Sequence, residues 1–375
     1  MLNPYLKKGA VAGLMVVMAQ SASAGTVSNS NKVDVTLGGY VNRALLWGDD
    51  GESSRAFVVD NENLSSRFFI AGEGKVNERL TAGVYMEFDF RDNSSSTVTL
   101  DDANAGDGGV GGSNVGATTF SQRHMDTYIS DAVFGKLSLG QGASASDGVA
   151  EVDKSGTGIV AYSGIADMAA AMKYRTDAGG FGPAIGSTSS NMDGLGLTDR
   201  VRYDTPAIGG FGLATSYVSG GAADVSVTFG GKFASVDVGA ALGYWNNNSI
   251  STSDDGGMAG SVSMKHDSGI SLTLAGGKTM QKATNRDDPT FGYGKLAYTV
   301  GLTSLGDTSF GVDYGVYNDV AQNSDEMITF GLQVVQDLAA TGTSLYIGYR
   351  NHELDRPGSN FNDVDAVMTG INVAF

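Results

Sequence analysis

From residue 33 to the end, apolar and polar positions alternate along most of the chain. Between residues 80 and 90, Leu80, Ala82, Val84, Met86, Phe88 and Phe90 share one face, and Thr81, Gly83, Tyr85, Glu87 and Asp89 share the other. Residues 236–244 sort in the same way, with Val236, Val238, Ala240, Leu242 and Tyr244 set against Asp237, Gly239, Ala241 and Gly243. A period of two is the period of an extended strand, and helical periodicity is weak almost everywhere. The second face is rich in Gly, Thr, Ser, Asp and Arg, so it meets water. A sandwich strand also alternates, so no single segment decides between a sandwich and a barrel.

The connections decide. Sixteen segments stand out near 33–47, 64–75, 79–91, 119–130, 134–142, 198–205, 209–219, 223–233, 235–247, 257–266, 269–279, 290–301, 307–318, 325–336, 342–352 and 364–375. Tight links such as GKVNE, PAIG and SLGD alternate with long polar ones such as GDDGESSRAFVVDNEN, residues 92–118 and residues 143–197. An even-numbered antiparallel barrel with short turns at one rim and long loops at the other has this rhythm. Pro183, Pro206, Pro289 and Pro357 fall in connections or at segment edges, where no ladder donor is lost. The final AVMTGINVAF places Val367, Thr369, Ile371, Val373 and Phe375 on one face, suited to lipid, and pairing with the first segment removes both open edges.

Residues 1–24 are a separate object. Lys7 and Lys8 precede the apolar run 9–19, and Ser21-Ala22-Ser23-Ala24 ends in a small-residue cleavage pattern. This predicts a secretory signal peptide, too short to span a bilayer, with the mature barrel domain covering 25–375. Its loss takes the formal charge from −17 to −19, which disfavours nucleic acid and anionic surfaces as partners. There is no cysteine, hence no disulfide and no thiolate metal site.

Three stretches carry a resemblance. RFFIAGEG (67–74) with the strand after it, RVRYDTPAIGGFGLATSY (200–217) and the C-terminal strand ending in Phe375 are similar to the corresponding elements of Gram-negative general porins. GKLSLGQGASASDGVAEVD (135–153) resembles their fifth strand and the start of their inward-folded loop. The resemblance implies a sixteen-stranded antiparallel transmembrane β-barrel with short periplasmic turns, long external loops and a third loop folded inward. It implies a homotrimer in the outer membrane, in contact with lipid and lipopolysaccharide. It also implies passive diffusion of ions and small hydrophilic solutes, and an assembly signal at Phe375 read by the outer-membrane assembly machinery.

The same resemblance implies a constriction in which wall arginines face loop carboxylates. The matching positions are Arg67, Arg123, Arg200 and Arg202 on the wall and Asp147, Glu151 and Asp153 on the loop over 143–197. Alternation turns Arg67, Arg200 and Arg202 inward; the HMDTYIS after Arg123 offers few apolar residues to fix that strand's register. Gly140-Gln141-Gly142 departs from the family's commoner Gly-Arg-Gln and removes a basic residue near the pore. Arginine suits such a filter because it stays charged and its planar head holds its direction. The acidic balance favours cations, and residues 92–118 are the expected trimer latch.

Other chemistry finds little support. His124, His266 and His352 are the three histidines, and none belongs to a nucleophile elbow or a zinc-binding pair. DDANAGDGG (101–109) and STSDDGG (251–257) lack the spacing of a calcium loop. The expectation is therefore a channel, not an enzyme, needing no cofactor or metal. Two rivals stand beside it: a substrate-specific channel, for which Tyr85, Trp245 and Tyr346 face inward without forming a continuous track, and a structural or adhesive barrel plugged by 143–197.

Overall fold

The computed structural model describes residues 25–29, 32–101 and 119–375. The expected signal peptide and residues 102–118 of the expected latch lie outside the described residues. Sixteen strands form one closed antiparallel barrel: β1 (Val33–Asp49), β2 (Arg67–Lys75), β3 (Leu80–Arg91), β4 (Thr119–Asp131), β5 (Gly135–Ala143), β6 (Leu197–Asp204), β7 (Phe211–Val218) and β8 (Ala223–Phe233). The second half is β9 (Val236–Asn246), β10 (Asp254–His266), β11 (Ile270–Gln281), β12 (Thr290–Thr303), β13 (Gly306–Asn318), β14 (Glu326–Leu338), β15 (Thr343–Asp355) and β16 (Val364–Ala374). All sixteen expected segments are strands, and each pairs with its neighbours in sequence.

The barrel closes between its ends. β1 pairs with β16 from Tyr40↔Ala374 to Asp49↔Asp365, and Gly39 and Phe375 exchange backbone hydrogen bonds of 3.0 and 2.9 Å. Residues Gly25–Asn29 continue the line of β16 and pair with Val33–Leu37 of β1. In lipid each unpaired backbone group costs several kcal/mol, so a spanning sheet has to close on itself.

Alternation then sorts the two faces. Leu213, Leu242, Leu296 and Leu332 are exposed outward, and Ile371, Val373 and Phe375 follow the expected lipid-facing parity. Ser261, Ser263, Thr273 and Lys295 face inward and are buried because the 143–197 segment lies against them. Inward glycines make room for it. A Cβ on Gly243 would stand 3.1 Å from the Val149 side chain, and one on Gly348 would stand 2.6 Å from Val160. Part of the chain's glycine abundance thus serves the inner wall.

Two connections differ from expectation. The long link after β1 contains a further strand, Ser54–Asp60, paired with β1 from Arg43↔Asp60 to Asp49↔Ser54. Its AFVVD core alternates, and Phe57 and Val59 turn inward and are buried. A short turn at Glu62–Leu64, capped by the Asn61 side chain, then carries the chain into the lumen.

The second difference concerns the expected latch, 92–118. Its described part, 92–101, runs inside the barrel: Ala171 donates its N–H to the Ser96 carbonyl at 3.0 Å, and Lys173 pairs with Asp101 at 2.9 Å. Val98 and Leu100 are buried in the core that contains Met168, Met172 and Ile185. The apolar alternation of Val98 and Leu100, set within a polar link, is the reason for this course.

Candidate functional site

The inward segment is held to one arc of the wall by charged side chains. At its start, Asp224 on β8 accepts hydrogen bonds from the Ser146 backbone at 2.8 Å and the Ser146 hydroxyl at 2.6 Å. In its middle, Lys295 on β12 donates to Asp153 at 2.7 Å, Thr157 at 3.1 Å and the Ala161 carbonyl at 2.5 Å. Further along, Arg350 on β15, itself paired with Asp313 on β13 at 3.1 Å, donates to the Tyr162 carbonyl at 3.2 Å. Tethered against β8–β15, the segment leaves an open cavity of ≈ 450 Å³ toward β2–β6.

The cavity has two chemically distinct sides. On the wall side, Arg67 of β2 and Arg123 of β4 reach one oxygen of Glu87 on β3, at 3.2 and 2.8 Å. Tyr85 donates to the other oxygen of Glu87 at 2.8 Å. On the loop side stand Asp147, Glu151, Asp153, Asp167 and Asp193. Alternation gives Arg123 no register, and a β-bulge supplies it. The β3–β4 register shifts between Glu87↔His124 and Phe88↔Gln122, leaving Arg123 as the extra residue. Phe120 can then face outward above the bulge while Met125 and Ile129 face outward below it, and Arg123 and His124 both line the cavity.

Arg200 and Arg202 have the expected inward parity but do not line this cavity. Arg200 is almost fully buried and donates to the Ala143 and Gly140 carbonyls, both at 3.0 Å, and to Asp126 at 2.5 Å. Arg202 donates to the Ser144 carbonyl at 2.6 Å and to Asp204 at 2.8 Å. Both arginines hold the place where the loop leaves β5. Asp153 lines the cavity yet is committed to Lys295.

Asp147, Glu151 and Asp193 therefore remain as loop acids with no paired base among the described residues, joined by Asp167. Asp193 accepts the Gly148 N–H at 2.6 Å, Glu151 accepts from the Asn191 amide at 2.8 Å, and Asp167 accepts from the Tyr162 hydroxyl. Burial pushes the Glu151 carboxyl up to about 8, aided by the charges of Asp147 and Asp167. Burial also raises Asp167, to about 7, and raises Asp147 and Asp193. Burial alone would raise Asp153 too, but the Lys295 ammonium overrides it and holds that carboxyl below its ordinary range.

Glu87, Asp167, Asp193 and the tethers Asp224 and Lys295 escape a motif-based reading. Those on strands carry a usable signal: each is a charge at an inward position of an alternating strand. Asp167 and Asp193 sit in an irregular segment, where alternation carries no information.

An open neck lined by charged and polar side chains inside a closed barrel suits diffusion, and the comparisons agree. The chain matches the Gram-negative porin family over residues 10–357. No curated protein matches it by sequence. Among solved structures, the anion-selective porin from Comamonas acidovorans is similar at 16% identity and a TM-score of 0.61, covering 92% of this chain and 100% of that one. OmpT of Vibrio cholerae, in its trimer form, is similar at 15% identity and a TM-score of 0.57, covering 92% and 100%. OmpF of Salmonella typhi, in complex with daunomycin, is similar at 14% identity and a TM-score of 0.57, covering 94% and 100%. With the family matched over nearly its whole length, the chain belongs to the Gram-negative porins and is a diffusion channel of the outer membrane.

Proposed function

We propose that the channel admits small hydrophilic solutes with a preference for cations, works as a homotrimer and performs no chemistry of its own. The observation that carries the preference is the charge of the neck. Arg67 and Arg123 share Glu87, whereas Asp147, Glu151, Asp167 and Asp193 face them without a paired base among the described residues. Carboxylates lining a narrow passage favour cations once they are ionised, which for Glu151 means above about 8 and for Asp167 above about 7. The Comamonas acidovorans relative is anion-selective, but at 16% identity the likeness concerns the fold and leaves the neck residues free to differ.

The constriction thus consists of Arg67 and Arg123 against the four loop acids, with Arg200, Arg202 and Asp153 as its scaffold. The trimer form of Vibrio cholerae OmpT supports the homotrimer. The outward band of leucine and valine supports contact with lipid, and Phe375 at the closing seam supports its part in assembly. His124 stands edge-on to Tyr85 at 5.3 Å and His352 is fully buried, which supports a passage without a catalytic set. Gly25–Asn29 extend the line of β16, which supports removal of residues 1–24 before the barrel closes.

The test is conductance in a planar bilayer under a salt gradient at about pH 9, above the values to which burial pushes Glu151 and Asp167. Stepwise ohmic currents in groups of three with a cation-signed reversal potential are expected. An anion-signed potential overturns the preference, and electrical silence overturns the open channel.

A further inference from the structure

The inner wall of a water-filled barrel is polar by default, and over one arc this wall is not. Toward the external ends of β14, β15, β16 and β1, the inward residues Met327, Leu354, Val364, Met368 and Leu46 are apolar and buried. The inward segment covers them with Ile165, Met168, Met172 and Ile185, which belong to the same core. The fit is close. A Cβ on Gly48 of β1 would stand 2.5 Å from the Met172 sulfur, and one on Gly348 of β15 would stand 3.3 Å from Met168.

His352 of β15 lies on this arc with no exposed surface, opposite Thr329 of β14 and Val364 of β16. Neither of its ring nitrogens has a hydrogen-bond partner among the described residues. The inward residues of β14 from Met327 to Val335, and those of β16 from Val364 to Ala374, carry no charge. The other titratable groups of this region are engaged or uncharged. Arg350, two residues along the same face of β15, is paired with Asp313, and Arg356 with Asp325. Tyr317 donates to the Ser163 carbonyl at 3.0 Å, Tyr162 donates to Asp167, and Tyr174 is a phenol within the core. A second proton on His352 would therefore make a cation without a partner in apolar surroundings, two residues from another cation. Water is the remaining partner, and it reaches the ring only where the segment withdraws.

We propose that His352 is an acid-sensitive catch: when its ring takes up a proton, residues 162–185 of the inward segment come away from the wall of β14–β16 and β1, and water enters behind them. The direction follows from linkage. An imidazole in water takes its second proton near about 6.5, so above that value release gains nothing, and each pH unit below it favours the released state about tenfold. The wall holds this stretch through the Tyr162 and Ser163 carbonyls, which accept from Arg350 at 3.2 Å and Tyr317 at 3.0 Å, and entering water can serve both. At the mouth, Arg175 with Asp50 at 2.8 Å and Lys173 with Asp101 at 2.9 Å keep the stretch attached to the neighbouring loops.

The chain has no cysteine, so a single thiol reports on one place. Met172→Cys probes the covered wall, Met168→Cys repeats the probe, and Ile250→Cys, exposed on an external loop, is the reference. Each is reacted in the folded barrel with a charged methanethiosulfonate, and rates are taken relative to the reference, which cancels the effect of pH on the thiol itself. The expected result is a relative rate that rises about tenfold per pH unit between about 6.5 and about 5, with a second conductance level appearing in single-channel records over the same interval. Adding His352→Phe, or His352→Leu where phenylalanine does not assemble, should hold the relative rate flat. A relative rate that is flat with His352 in place overturns the catch. An equal rise without the histidine assigns the release to another group and overturns it as well.

Discussion

Lys295 and Asp153 meet at 2.7 Å where the inward segment lies against the wall, the lysine side chain wholly shielded and the carboxylate nearly so. The pair joins β12 to the middle of the inward loop, a few residues from Glu151. Removing one partner of a buried ion pair costs about 3–5 kcal/mol, because the other charge stays behind unmatched. Lys295→Met should therefore release the middle of the loop while the hydrogen-bonded barrel stays closed. Single-channel records are expected to change from quiet to flickering, with a normal heat-modifiable gel shift. Adding Asp153→Leu to Lys295→Met should restore part of the quiet, since no charge is then stranded. A quiet Lys295→Met channel would mean that Asp224 and Arg350 hold the loop without this post.

Glu87 is the counter-charge that two arginines share. Glu87→Gln keeps the shape and frees one positive charge at the wall side of the neck. A unit charge 4 Å from an ion is worth about 1 kcal/mol even in bulk water, so cation permeability should fall and anion permeability rise by up to about fivefold each, lowering their ratio. The reversal potential in a salt gradient measures it. An unchanged potential would place the selective step away from this part of the cavity.

The loop acids should make that preference depend on pH. Glu151, pushed up to about 8, and Asp167, pushed up to about 7, are neutral below those values and charged above them. Lowering the pH from about 9 to about 6 therefore removes negative charge from the neck, and the cation preference should decline over that interval, well above the ordinary carboxylate range. Glu151→Gln should lower the preference at the alkaline end and leave a shallower decline governed by Asp167. A wild-type profile flat across the interval would show that these two groups do not set the field felt by permeating ions.

The strands were legible because lipid on one side and water on the other impose a period of two that no turn or loop imitates for long. Loop rhythm supplied the closure. What stayed illegible has physical reasons. The bulge at Arg123 breaks parity, and an alternation count cannot say where an extra residue sits. Arg200 and Arg202 have inward parity, yet parity does not tell a side chain aimed at the pore from one folded onto nearby carbonyls. The inward course of 92–101 hangs on Val98 and Leu100, two apolar residues in a segment whose composition otherwise describes an external loop.

The closing seam gives the most direct test of how the ends are joined. Gly39 faces Phe375 through two backbone hydrogen bonds, and a Cβ at Gly39 would stand 2.6 Å from the Arg67 carbonyl oxygen and 3.0 Å from the Phe375 ring. The obstruction on one side is backbone of β2, which cannot swing aside as a side chain can. Gly39→Ala should therefore strain the β1–β2 and β1–β16 contacts together, at about 1–3 kcal/mol for an overpacked site. Gly230→Ala on β8 is the matched control, because its added methyl meets nothing within 4 Å. The urea midpoint of the folded barrel in detergent should fall for Gly39→Ala and hold for Gly230→Ala. Equal midpoints would mean that the seam yields without cost, and that closure depends on the long β1–β16 ladder rather than on the fit at Phe375.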